Sequence, residues 1–392
     1  MTTTIIGVNE DASLTPEAAA ALSAASLVVG GHRHLALAAP LITGETLAWP
    51  SPMDAAIPAI LVHPGPVAIL ATGDPLWFGA ASLLLRHLPA GTTRIIPALS
   101  SFQLAAARLG WALQDTACLS CCGRPVEAII PHLQPGARLL ILSAGPETPA
   151  QIETVLTARA LDHTIQILEN LGGPTERIKS PLPLAEQGWV TVSALNLVAL
   201  TIHGPTGATL SLTPGRPDAL FEHDGQITKS DIRALTLAAL APRRGELLWD
   251  VGAGSGSVAI EWMLAHPANR AIAIERQPAR AARARRNALA LGTPALQVIE
   301  GAAPEALENL PPPDAIFLGG GAHRAPIIEA AVAAGARIVA NAIALETEAA
   351  LVAARQRHGG TLTRIAIERL DRVGTMDAYR PAMTVTQWRL DR

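Results

Sequence analysis

The chain has 392 residues, 49% of them hydrophobic and 16% charged, with a formal net charge of −3. That length exceeds one ordinary core and predicts two domains, and the composition excludes a disordered chain. No apolar run reaches the ~18 residues of a membrane helix, and no basic block addresses nucleic acid. The opening Met1-Thr2-Thr3-Thr4-Ile5-Ile6-Gly7 goes straight into a strand pattern without the regions of a signal peptide, so a cytoplasmic enzyme is expected.

Taken in chain order, the pattern alternates β and α, which predicts parallel sheets flanked by helices. Ile5 to Val8 reads as the first strand. Thr15 then caps a helix that has Pro16 at its first position. Strands are expected at Leu27 to Gly30, Val67 to Ala71, Arg138 to Ser143 and Thr164 to Leu168, with helices at Leu83 to His87 and Ser101 to Leu109. Cys118, Cys121 and Cys122 cluster together. A zinc site would have to recruit His132 as fourth ligand, so reduced thiols and no metal are the expectation.

Around residues 204–225 the apolar periodicity stops. Gly204-Pro205-Thr206-Gly207 and Thr213-Pro214-Gly215-Arg216-Pro217 are turn chemistry, which predicts domains at 1–205 and 226–392 joined by a linker at 206–225. After it come helix Lys229 to Leu240, strand Glu246 to Val251, helix Ser255 to Ala265, strand Ala271 to Glu275 and helix Pro278 to Leu291. Strands Leu296 to Glu300 and Ala315 to Leu318 follow, then helix Ala325 to Ala334, strand Arg337 to Asn341 and helix Glu346 to His358. Thr361 to Arg369 and Met383 to Trp388 read as a closing pair of long strands.

The strongest local signal is Asp250-Val251-Gly252-Ala253-Gly254-Ser255-Gly256, a strand running through a glycine turn into a helix. Glycines permit positive φ and close approach of a ligand, and the helix start offers free N–H groups to an anionic end. A dinucleotide fingerprint would read G-x-G-x-x-G, whereas the third glycine here falls one residue early. S-adenosylmethionine is therefore favoured over a nicotinamide cofactor, which remains as an oxidoreductase alternative. Glu275 ends the next strand, where a carboxylate can accept from both ribose hydroxyls. Gly301 and Ala302 are placed beside the adenine, and Gly319, Gly320 and Gly321 form a turn at the edge where substrates meet cofactors.

The first half carries Ala71-Thr72-Gly73-Asp74-Pro75-Leu76-Trp77-Phe78-Gly79, then Ile96-Pro97-Ala98-Leu99-Ser100-Ser101-Phe102-Gln103 and Leu119-Ser120-Cys121-Cys122-Gly123-Arg124. Leu168-Glu169-Asn170-Leu171-Gly172 and Thr175-Glu176-Arg177-Ile178 follow. Together these stretches resemble the tetrapyrrole methylases of cobalamin biosynthesis, in the branch that methylates C5. Ile227-Thr228-Lys229 with Arg233, Leu248-Trp249-Asp250 through Glu261-Trp262, and Phe317 through Gly321 resemble the companion C15-methylating decarboxylase. The fused pair is similar to the family of precorrin-6Y C5,15-methyltransferases (decarboxylating), and the resemblance covers essentially the whole chain. Two departures stand out. The family's glycine-rich first loop reads Gly7-Val8-Asn9-Glu10-Asp11 here, and Cys122 stands where the family often has histidine.

The resemblance implies an α/β fold in both halves: a two-lobed tetrapyrrole methylase fold, then a Rossmann-like, doubly wound class I methyltransferase fold. It implies conversion of precorrin-6B to precorrin-8X with two S-adenosylmethionines and loss of carbon dioxide from the ring C acetate. Thr72, Gly73, Asp74, Ser100 and Ser101 would face cofactor in the first half, with Asp74 also able to accept a proton. Carboxylate-binding cations would come from Lys229, Arg233, Arg124, Arg177 and Arg380, with Thr228 beside them and Lys229 the first choice for catalysis. Self-association is implied as well. A second alternative is a corrinoid-binding protein with only one active methyltransferase domain.

Overall fold

A computed structural model describes residues 2–89, 91–179, 192–204, 207–324 and 326–391. The turn residues Pro205 and Thr206 and the expected helix start Ala325 lie outside the described residues. Two compact units emerge, Met1–Val126 with His132–Ala208, and Glu127–Pro131 with Thr209–Arg392. Among the described residues no helix is long and apolar enough to cross a membrane.

The first unit holds two five-stranded sheets. Strands β1 (Thr3–Val8), β2 (Leu27–Gly30), β3 (Glu45–Ala48), β4 (Val67–Thr72) and β5 (Thr93–Ile96) form a parallel sheet in the order β3-β2-β4-β1-β5. Its three inner strands, β2, β4 and β1, are short, aliphatic and buried on both faces, as a sheet covered by helices on both sides requires, while the edge strands β3 and β5 are partly exposed. Alternation divides neighbours between the two faces: Ile5, Val29 and Ile69 join one core cluster, Ile6, Val28 and Leu70 the other. The helix Pro16–Ser23 starts where expected, its Thr15 side chain accepting from the Ala18 amide at 3.2 Å.

The second sheet uses β6 (Thr116–Ser120), β7 (Arg138–Leu142), β8 (His163–Glu169), β9 (Arg177–Lys179) and β10 (Asn196–Ile202), in the order β6-β7-β10-β8-β9. Only β6 and β7 run parallel; β10 pairs antiparallel with both neighbours. Helix Ser101–Leu109 packs on it through Phe102, which is 1% exposed among Leu140, Leu168 and Leu197. Burying one such ring contributes roughly 2–3 kcal/mol. The helix expected at Leu83 to His87 is a single turn, Ala81–Leu84. Leu84 is buried while Leu83 and Leu85 stay exposed, so the leucine run presents no apolar stripe long enough to anchor a second turn.

The second unit is one seven-stranded sheet and a hairpin. Strands β11 (Leu247–Val251), β12 (Arg270–Glu275), β13 (Gln297–Glu300), β14 (Ala315–Leu318), β15 (Arg337–Ala342), β16 (Thr361–Ile365), β17 (Glu368–Val373), β18 (Met376–Pro381) and β19 (Val385–Leu390) give the order β13-β12-β11-β14-β15-β19-β16. The first five in that order are parallel, and β19 lies antiparallel between β15 and β16. A dinucleotide-binding sheet closes instead on a sixth parallel strand. The strand order reverses at β11 and β14, which puts a ligand crevice at their carboxyl ends.

Three expectations are corrected here. The long strand at Thr361 to Arg369 breaks into β16 and β17, and β17 turns at Gly374 (φ +61°) into β18, a hairpin exposed at every residue. The helix expected from Ser255 begins at Ser257 because Gly256 holds φ +75°. Much of the expected 206–225 linker is structural: Leu210, Arg216 and Phe221 are buried in the second unit.

Candidate active sites

In the second unit the glycine loop hangs on the end of β12, with Gly252 and Ala253 donating their N–H groups to the Ile274 carbonyl. Gly252, Gly254 and Gly256 have φ of +73°, +60° and +75°, the left-handed region that side chains resist. A Cβ at Gly252 would sit 3.0 Å from the Gly320 carbonyl oxygen, and one at Gly256 3.1 Å from the Ala284 Cβ. Conformation therefore favours glycine at all three positions, and space favours it at Gly252 and Gly256.

Asp250 is buried and accepts from the Ala259 amide at 3.0 Å, which ties the strand end to the first turn of helix Ser257–Ala265. Burial, with the Glu275 charge adding to it, pushes its carboxyl up to about 7. Its Oδ1 and the Ser255 hydroxyl are buried without hydrogen-bond partners among the described residues. Glu275 accepts from Gly254 N and Gln277 N, both at 2.9 Å, so its carboxylate is aimed at the loop. A cavity of about 220 Å³ opens there and brings together Gly252, Glu275, Gly301, Ala302, Gly320 and Gly321. Gly319 is exposed just behind the turn, while Ala253, Gly254, Ser255 and Gly256 form the loop's far side. Glycine backbone and a strand-end carboxylate on the cavity wall fit an adenosyl amino acid, while the unpartnered Asp250 and Ser255 oxygens lie behind that wall.

Arg233 is committed inside the second unit. It is fully buried, and Nε donates to Glu261 Oε1 at 2.8 Å, with further bonds to Asp218 and the carbonyls of Thr228 and Arg216. Glu261 also accepts from the Gly215 and Arg216 amides and pairs with Arg216. The matching residues near 228–233 thus clasp the 209–222 segment onto helices Ser230–Leu240 and Ser257–Ala265. Thr228 serves that clasp through its carbonyl. Lys229 is half-exposed, its Nζ 3.6 Å from Asp218, and it is not on the cavity wall. Several residues on that wall escaped the sequence reading, among them Arg276, Arg280, His323 and Arg324. His323 bonds Thr347 Oγ1 at 3.2 Å, and Arg324 makes no ion pair among the described residues. They follow the triple glycine directly, and a basic pair after a turn at the substrate edge was the available signal.

In the first unit three strand ends interlock. Gly73 donates to the Val8 carbonyl and accepts from Ala98 N, both at 3.1 Å. A Cβ at Gly7 would stand 2.0 Å from the Gly73 oxygen, so no side chain fits there. Beside this knot lies a cavity of about 330 Å³, walled by Glu10, Thr72, Asp74, Ser100, Ser101 and Asn170 among others. The motifs quoted from the sequence therefore meet in space. Asp74 Oδ1 accepts from Leu76 N at 2.9 Å, the turn-stabilising bond of an Asx turn. Ser100 is spent on a capping box with Gln103 over helix Ser101–Leu109, with bonds of 2.8 and 3.3 Å.

The remaining cations sit apart. Arg124 lies over the Phe78 ring, 5.4 Å from its centroid, next to the cavity. Arg177 is exposed, 3.7 Å from Glu169, and Arg380 pairs with Asp371 on the β17–β18 hairpin. Sequence reading missed Arg33 and His34, which follow β2 and touch Thr72. The signal was the glycine pair Gly30-Gly31 ending a strand just before them.

Known families match both units. Tetrapyrrole (corrin/porphyrin) methylases match residues 6–186. A precorrin methyltransferase domain matches residues 219–392. A precorrin-6Y C(5,15)-methyltransferase [decarboxylating] from Sinorhizobium sp is 49% identical over 393 residues, 98% of this chain and 95% of the relative. The enzyme of the same description from Mycobacterium tuberculosis is 36% identical over 392 residues, 98% of either chain. The solved C-terminal domain of precorrin-6Y C5,15-methyltransferase from Rhodobacter capsulatus, 47% identical, covers 47% of this chain and 100% of its own, with a TM-score of 0.44. With relatives aligned end to end across both units, this chain belongs to the precorrin-6Y C(5,15)-methyltransferase (decarboxylating) family.

Proposed function

We propose that the chain methylates C5 and C15 of precorrin-6B and removes carbon dioxide from the ring C acetate, giving precorrin-8X. Residues 1–205 are assigned C5 methylation, and residues 226–392 C15 methylation with decarboxylation. The observation that carries this reading is a cavity at the motif residues of each unit, in a chain whose relatives are named for two methylations. S-adenosylmethionine supplies each site with a methyl group on a sulfonium, open to in-line attack by an electron-rich carbon.

Positioning is the protein's main task, because alignment alone can supply roughly 7–11 kcal/mol of the barrier. In the second unit, Gly252 and the Glu275 carboxylate line the cavity that takes the cofactor's amino-acid and ribose ends, while the loop's own amide bonds to Ile274 and Glu275 hold that wall in shape. Gly301 and Ala302 border the adenine through backbone. Gly320 and Gly321 leave the substrate edge open, with Arg324 there to hold a side-chain carboxylate of the tetrapyrrole. Lys229 and Arg233 take no part in this step. In the first unit, Thr72, Gly73 and Ser101 line the cofactor cavity, and Asp74 and Ser100 shape its two turns. Arg124 is the cation nearest that cavity, while Arg177 and Arg380 lie further out.

The protein acts in the cytoplasm in this reading and self-associates through apolar surface such as Leu370, Met376 and Tyr379 of the exposed hairpin. Mass spectrometry of the product from precorrin-6B tests the function. Two methyls gained and one carbon dioxide lost are expected; a single methyl means that one cavity is not a methylation site.

A further inference from the structure

Helix His32–Ala38 sets His34 on the wall of the N-terminal cavity, where the proposed chemistry has not used it. Hydrogen-bond polarity fixes its tautomer. Arg33 Nη2 lies 3.2 Å from His34 Nε2 and 3.0 Å from Thr72 Oγ1. A guanidinium only donates, so Nε2 must carry the lone pair. The Thr72 hydroxyl, 2.8 Å from the same nitrogen, accepts from Arg33 and donates to Nε2. The ring proton is left on Nδ1. Burial, reinforced by the Arg33 charge, pushes the imidazole down to about 4 and keeps it neutral at neutral pH.

That Nδ1 is buried and has no hydrogen-bond partner among the described residues. Buried donors are rarely left so, and one that is calls for an explanation. Gly31 lines the same wall, and a Cβ there would stand 3.5 Å from Nδ1. Glu10 meanwhile pairs with Arg33, so the guanidinium is already committed. Glu10 Oε1 is also without a hydrogen bond but can only accept, which leaves Nδ1–H as the donor without a partner among the described residues of this corner.

We infer that the His34 Nδ1–H is a ligand-binding donor that takes a carboxylate oxygen of a molecule bound in the N-terminal cavity. This rests on the proposed methylation in the first unit, whose two reactants both bring carboxylates: the amino-acid end of the cofactor and the acetate and propionate arms of the tetrapyrrole. His34 is a binding residue in this account, and Arg33 and Thr72 position its ring.

The test uses the full chain. Nitrogen NMR of 15N-histidine protein, with His34 assigned by its loss in a variant, reads the tautomer without any ligand. A protonated Nδ1 is expected, and a protonated Nε2 overturns the inference whatever the substrate is. His34→Gln keeps an amide at the Nε2 end and removes the Nδ1 donor, whereas His34→Asn keeps a donor at Nδ1. His34→Gln is expected to weaken binding of S-adenosylhomocysteine or of precorrin-6B at the first unit about tenfold, with His34→Asn recovering most of it. Loss for the first probe assigns the cofactor's carboxylate, and loss for the second assigns the tetrapyrrole's. Unchanged binding of both probes to His34→Gln overturns the inference.

Discussion

The two cavities proposed to hold cofactor are built from different materials. In the second unit the site is built from turns at the ends of adjacent parallel strands: Gly252 after β11, Glu275 ending β12, Gly301 and Ala302 after β13, and Gly320 and Gly321 after β14. In the first unit the walls come from segments far apart, with Glu10, His34, Thr72, Ser100 and Asn170 meeting only after two sheets have formed. The difference teaches that a backbone-built site depends on a few φ angles, whereas a side-chain-built one depends on the packing of everything behind it. Each contrast below can be broken by experiment.

The largest effect is expected at the knot of the first unit. Gly7→Val drives a Cβ into the Gly73 carbonyl, 2.0 Å away, and should cut C5 methylation by about a hundredfold or more if the reacting atoms shift by an ångström. C15 methylation should be spared. Separate assay of the two products checks this, and equal loss of both would erase the proposed independence of the cavities.

Next comes the clasp that the sequence reading mistook for a substrate site. Arg233→Met leaves the fully buried Glu261 charge without its 2.8 Å partner. Breaking such a pair costs about 3–5 kcal/mol, to be read from denaturant unfolding of the second unit. A variant that is stable but fails to bind precorrin-6B would return Arg233 to the substrate.

Asp250 gives the second unit a pH signature. Burial pushes its folded carboxyl up to about 7, against about 3.8 for a solvated carboxyl, so the folded state holds a proton that the unfolded state has released between those values. Stability from this group is complete below about pH 4, declines as pH rises and is gone above about 7. The span is about 4 kcal/mol at most, at 1.36 kcal/mol per pKa unit. Asp250→Asn should flatten that slope relative to wild type in unfolding measured from pH 4 to 8. The smallest effect is expected at Ser100→Ala, which removes a helix cap and should cost about 1 kcal/mol of first-unit stability.

Legibility followed sequence distance. The order of β and α elements, the Thr15 cap and the Asp250–Gly256 loop could be read because each depends on neighbours within a few residues. Gly252, Gly254 and Gly256 announce their own positive φ. Arg233 could not be read, because its partner Glu261 lies 28 residues away and an arginine looks the same in a list whether buried or solvated. His34 was missed for the same reason: Thr72 is 38 residues distant. The β17–β18 hairpin was hidden in an apparently continuous strand, although Gly374 marks its turn. Lys229 looked attractive beside a motif, yet that motif holds the fold together.

The central claim is two cofactor sites in one chain, and its most direct test is the stoichiometry of S-adenosylhomocysteine binding by calorimetry. Two equivalents per wild-type chain are predicted, falling to one in Gly7→Val as the first unit's cavity is lost. A single equivalent in the wild type, unchanged in that variant, would contradict the account.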